Sequence, residues 1–153
     1  MEHNRDRNCA ITARHNRRDE RGDRNARYVF VGEKRSRRAI ELGASWENGR
    51  LCAKTLHEAL RAMELDPKSQ VYLNLYRDGD GWSVNPAALA RLRSLTGTGL
   101  VIVGLGRRVQ AALRRAGLPH RQLIHPAARG AVRGRAIYQA RVAAALGHDR
   151  AAA

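Results

Sequence analysis

Four short apolar runs alternate with four longer amphipathic segments over residues 28–146. The runs are "YVFVG" (28–32), "VYLNLY" (71–76), "LVIVG" (100–104) and "RQLIH" (121–125), rich in β-branched and aromatic side chains. Such runs, bounded by turn-forming or charged residues, predict strands. Between the first two, Leu51, Leu56, Ala59, Leu60 and Met63 recur at helical spacing and predict a helix from Gly49 to Glu64, which "DPKS" then breaks. "NPAALARLRSL" predicts a second helix, with Asn85 as N-cap and Pro86 at the first helical position. "RRVQAALRRAG" predicts a third, closed by Gly117. A last helix is expected from Ala131 to Leu146, with Val132, Ile137, Ala140, Val142 and Ala145 as its apolar side.

Strands that alternate with helices need crossover connections, and these cover both faces of a parallel sheet. The expected class is α/β, a three-layer α/β/α sandwich with a four-stranded parallel sheet. In such folds ligands sit beyond the carboxyl ends of the strands. Here those exits read "GEKRS", "NLYRDGDG", "GLGRR" and "HPAARG", so the four unusual segments are expected on one rim.

Composition sharpens this picture. A chain of 153 residues supports one domain, expected at 28–148, between a basic N-terminal arm at 1–27 with too few apolar side chains to order itself and a short tail at 149–153. With 29 Lys and Arg against 14 Asp and Glu, the net charge of +15 points to an anionic partner, nucleic acid first. The charge is concentrated: residues 101–150 hold ten arginines and one acid, Asp149. Genome composition accounts for the choice of Arg over Lys better than for the missing acids. Two cysteines, Cys9 and Cys52, are too few for a disulfide framework or a cysteine metal site. No apolar run has the length of a membrane span, and the N-terminus lacks the apolar core of a signal peptide, so a cytoplasmic, nucleoid-associated protein without membrane attachment is expected.

"VGEKRS" after the first strand, Asn74 on the second, "VIVGLGRRVQAAL" and "LIHPAARG" together resemble the uracil-DNA glycosylase superfamily over residues 28–146. That superfamily has a first motif such as GEAPG or GQDPY, an asparagine on an intermediate strand in some branches, and a late HPS or HPA motif. The resemblance implies a uracil-DNA glycosylase-like fold. It also implies hydrolysis of the N-glycosidic bond of uracil, or a related damaged or modified base, flipped out of single- or double-stranded DNA, leaving an abasic site. It implies no metal or organic cofactor, and a monomer is expected because DNA would occupy the basic rim.

The chemistry asks for such residues, because bond cleavage puts positive charge on the sugar and negative charge on the departing base. By resemblance, His125 would hydrogen-bond the base oxygen as charge develops, and Glu33 would orient water and stabilise the cationic sugar. The plainer alternatives are a strand-end histidine satisfied by a carbonyl, and a surface ion pair with Lys34 or Arg35. Asn74 would read the edge of the flipped base, with Gly32 and Trp46 also expected to bind it; a buried structural network is the alternative for Asn74. Arg129 falls where several branches carry a residue that wedges into the duplex. Lys34, Arg35, Ser36, Arg107, Arg108, Arg129 and Arg133 are the expected DNA contacts.

The chain also departs from the family pattern. Lys34-Arg35 replaces Ala-Pro of GEAPG, Ser36 replaces its last glycine, and the four cysteines of an iron-sulfur cluster are missing. Leu51 stands where GEAPG branches carry the base-stacking ring, which leaves Trp46 and Tyr76 as substitute platforms. "DGDG" reads as a turn, with Asp80 as an alternative water-positioning acid. Lys34 is the one candidate for a Schiff-base nucleophile. Two rivals remain: a non-catalytic nucleic-acid-binding module on the same fold, and a nucleotide-handling enzyme of general Rossmann type, against which the missing phosphate loop counts.

Overall fold

All five residues of the first strand, β1 (Tyr28–Gly32), are buried, as a strand covered on both faces requires. The computed structural model describes residues 26–128 and 134–147. Strands β2 (Val71–Asn74), β3 (Val101–Leu105) and β4 (Arg121–Leu123) complete one parallel sheet in the order β2-β1-β3-β4. Its register sets Gly32 opposite Asn74 and Val31 opposite Gly104. The edge strand β4 has only three residues, which limits the unpaired backbone it displays.

Alternate side chains of β1 serve two cores. Tyr28 and Phe30 join Tyr72, Val103, Leu105 and Leu123 beneath helices α2 (Cys52–Ala62) and α5 (Arg135–Leu146). Val29 and Val31 join Val71 and Ile102 beneath α3 (Pro86–Leu95) and α4 (Arg107–Arg115). Helices therefore cover both faces of the sheet. Asn85 caps α3 by accepting from the Ala87 amide at 3.0 Å, with Pro86 opening the helix. Gly117, at φ +70°, closes α4.

Several boundaries differ from the sequence pattern. The basic loop after β1 contains a short helix, α1 (Arg37–Glu41), because Ser36 caps it by accepting from the Ala39 amide. Strand β2 stops at Asn74, and beyond it Tyr76 forms an antiparallel bridge with Val84. Strand β4 ends before Ile124 and His125. In α5 the buried side chains are Tyr138, Val142 and Leu146, four residues apart, whereas Ile137 and Ala140 are exposed. The expected stripe is thus rotated: a tyrosine that reaches the Ile124 carbonyl through its hydroxyl at 3.2 Å takes the inner face. Val132 and the rest of 129–133 lie outside the described residues, as do 1–25 of the arm and the tail.

Candidate functional site

The strand order contains a reversal. From β1 the chain moves to β2 on one side, and β3 then lies on the other side of β1. Helical connections leave in different directions at such a point, opening a crevice beyond the strands' carboxyl ends. Glu33 follows β1 at this crevice and Gly106 follows β3. A pocket of about 380 Å³ opens there, with Glu33, Asn74, Trp46 and His125 in its wall.

Gly106 brings the two expected catalytic side chains together. Its φ is +88°, and a β-carbon built on it would lie 3.4 Å from Cβ of His125 and 3.8 Å from a carboxylate oxygen of Glu33. The corner is held from behind, where the Gly106 amide donates to the Leu123 carbonyl at 2.9 Å. The buried Gln110 amide also donates to the Gly104 and Leu123 carbonyls at 3.0 and 3.1 Å. Glu33 is fixed through its backbone, since its carbonyl accepts from the Tyr76 amide at 2.9 Å. Its carboxylate makes no hydrogen bond or ion pair among the described residues, so the surface pairing with Lys34 or Arg35 is not formed.

His125 sits in a turn closed by the Ala128 amide donating to the His125 carbonyl at 2.9 Å. The Ala127 amide donates to Nδ1 at 3.1 Å, which makes Nδ1 the acceptor and leaves the ring proton on Nε2. Burial lowers the pKa of the imidazole from its ordinary value, and the nearby Glu33 charge opposes this. The alternative of a ring satisfied by a carbonyl is therefore replaced by a ring held by an amide. The Trp46 indole meets it edge-on, with ring centroids 6.0 Å apart.

Trp46 and Asn74 form one unit. The indole N–H donates to Oδ1 of Asn74 at 2.8 Å; among the described residues the Asn74 amide N–H groups have no protein partner, and Asn74 lines the pocket. Gly32 permits this approach, because a β-carbon there would lie 2.7 Å from the indole and 2.9 Å from Oδ1. Beneath the Trp46 turn lies the buried His57, stacked on Tyr72 at 5.5 Å. Gly49 makes room for it: a β-carbon on Gly49 would sit 2.7 Å from its Nδ1. Among the described residues Nε2 of His57 is buried without a partner.

Other expected residues fall elsewhere. Lys34 donates to the Gly79 carbonyl at 2.6 Å and to the Gly81 carbonyl, and Arg35 makes a two-pronged pair with Asp78 at 2.7 and 2.9 Å. Both cations are thus engaged by the 77–83 loop, and Lys34 is not a free amine in the pocket. Ser36 caps α1 while also lining the pocket. Arg107 is exposed at the first turn of α4, and Arg108 stacks on Trp82. Tyr76 is core, 5% exposed, with its hydroxyl reaching the Arg108 carbonyl, so it is no platform for a ligand. Asp80 lies in an exposed turn outside the pocket lining. Arg129 and Arg133 are outside the described residues.

Sequence reasoning missed Trp82 and Cys52 as parts of the wall, whereas Leu51, which stands where the resemblance places a stacking ring, does line it. Leu51 has φ 54°, an uncommon conformation for a leucine, and its side chain is 41% exposed instead of joining the buried face of α2. Burial pushes the Cys52 thiol up, against a role as an activated nucleophile. Among the described residues no three His, Cys, Asp or Glu side chains group as a metal site, and no helix is long and apolar enough to cross a membrane. Comparison with protein-family models and with curated proteins finds no match.

Proposed function

We propose that this chain is a DNA glycosylase resembling the uracil-DNA glycosylase superfamily, acting on uracil or a related base turned out of DNA. The observation that carries this reading is the convergence of a carboxylate unpaired among the described residues, Glu33, and a neutral imidazole, His125, across Gly106 at a pocket walled by Trp46 and Asn74. The net charge of +15 supports an anionic polymer as the substrate.

The base enters the pocket, where the Asn74 amide N–H groups and the Nε2–H of His125 are donors for its carbonyl oxygens. As the bond from the base nitrogen to the sugar carbon breaks, its electron pair leaves with the base, and the His125 N–H strengthens its hydrogen bond to the developing anion. The Glu33 carboxylate faces the cationic sugar and orients the water that forms the new carbon–oxygen bond, accepting its proton. The products are the free base and an abasic site.

The test is incubation of the protein with end-labelled single- and double-stranded oligonucleotides carrying one uracil, followed by alkaline strand scission, with His125→Ala alongside. The expected result is scission that His125→Ala slows by about 10²–10³-fold in single turnover, the usual cost of removing one such donor. Retained binding with no scission on any uracil substrate would overturn the uracil reading and leave two others, a different damaged or modified base and the non-catalytic nucleic-acid-binding module.

A further inference from the structure

The two faces of the sheet carry different charge. Between Asp80 and Asp149 the chain has no acidic residue, and α3 and α4, which cover one face together, both fall inside this interval. On the other face α2 contains Glu58, which pairs with Arg135 of α5 at 2.9 Å.

Helix α4 concentrates the surplus. Val109, Gln110, Ala112 and Leu113 are buried, while Arg107, Arg108, Arg114 and Arg115 are all exposed. Residues 107 and 114 are seven apart, as are 108 and 115, so the four share one outer strip about 10 Å long. Among the described residues Arg107, Arg114 and Arg115 make no ion pair. The four like charges repel one another, and the first two meet the positive end of the helix dipole, where an acid is favoured and none is present. An external anion offsets that repulsion.

The strip starts at the pocket. Gly106, the corner between Glu33 and His125, immediately precedes Arg107, and the Arg108 guanidinium lies 3.7 Å from the ring centre of Trp82 in the pocket wall. From there α4 runs back from the carboxyl end of β3 toward the amino end of the parallel β4, which puts Arg114 and Arg115 two turns from the rim. A row of this length spans about three nucleotides of one strand, at roughly 3.4 Å of axis each. The exposed large apolar side chains all lie off α4, unlike those of a helix that rests on a lipid surface.

We infer that α4 is a track for the nucleic-acid backbone, with Arg114 and Arg115 each holding a phosphate of the DNA whose base enters the pocket. This rests on the nucleic-acid reading of the pocket and adds to it a contact surface on the side of the molecule, away from the strand-end rim.

Fluorescein-labelled oligothymidylate of about 16 nucleotides and the corresponding adenine–thymine duplex are titrated over a range of salt concentrations. They are added to the full chain, to Arg114→Gln combined with Arg115→Gln, and to Lys54→Gln combined with Arg61→Gln, with thermal melts of each. Lys54 and Arg61 are exposed on α2, seven apart on the other face, so their variant loses the same charge. The α4 variant is expected to bind more weakly. Its plot of log affinity against log salt is expected to be shallower than that of the wild type by about 1.4 on the single strand and about 1.8 on the duplex, the signature of two lost phosphate contacts. The α2 variant is expected to keep the wild-type slope. A folded α4 variant with the wild-type slope, or equal flattening by both variants, overturns the track while leaving base release to decide the glycosylase reading. Should the α4 variant melt early, Arg114→Gln and Arg115→Gln are measured singly, and wild-type slopes in both overturn it instead. Binding to vesicles of anionic phospholipid that the α4 variant loses, with the DNA slope unchanged, assigns the strip to a lipid surface and also overturns the track. Failure of the wild type to bind either DNA probe overturns both readings.

Discussion

A methyl group on Gly32 would sit 2.7 Å from the Trp46 indole and 2.9 Å from Oδ1 of Asn74, and neither partner has a free side to retreat to without breaking their mutual hydrogen bond. Gly32→Ala is therefore expected to lower stability by about 1–3 kcal/mol, as overpacking does, and to shift the Trp46 fluorescence; urea unfolding and an emission spectrum check both. At Gly106, φ +88° adds backbone strain to the approach of a side chain toward His125 and Glu33, so Gly106→Ala is expected to reduce base release more than DNA binding. Glu33, Asn74 and His125 were legible in the sequence because each follows or ends a recognisable strand, and strand ends share a rim. Trp82 was not legible, since its place in the wall depends on Lys34 and Arg35 gripping a loop more than 40 residues away.

At the level of elements, caps and turns were readable and buried faces less so. Asn85→Ala is expected to cost about 1 kcal/mol through loss of the bond to the Ala87 amide, measured by chemical denaturation. The Arg35–Asp78 pair is roughly one-third exposed on each side, so its contribution to global stability is small. Asp78→Asn is expected to leave the melting temperature nearly unchanged while speeding tryptic cleavage after Arg77, read by mass spectrometry. In α5 the apolar periodicity admitted two adjacent faces, and the choice fell to Tyr138, whose ring joins the core while its hydroxyl reaches the Ile124 carbonyl. Amphipathic pattern identifies a helix; only the shape of the partner surface selects among neighbouring stripes.

For the molecule as a whole, two histidines link stability to acidity. Burial is the leading cause that lowers the pKa of both His57 and His125 below the ordinary 6.5. The unfolded chain therefore binds these protons first, and stability falls as pH drops from about 6.5 toward the folded values and levels off below them. Urea unfolding at pH 7.5 and 5.5 is expected to show this loss, with His57→Phe losing less. Base release is expected to decline over the same acid range, because a proton on Nδ1 of His125 would oppose the Ala127 amide that now donates to it. By itself the sequence determined the α/β class, the parallel sheet, the four strand segments and the surplus of positive charge, because local periodicity, turn chemistry and composition are properties of neighbouring residues. Only the tertiary structure decided the order β2-β1-β3-β4, the meeting of Glu33 and His125 across Gly106, and the union of Trp46 with Asn74. Those depend on which strand lies beside β1 and how closely backbone can pass side chain, and neither is encoded in spacing along the chain.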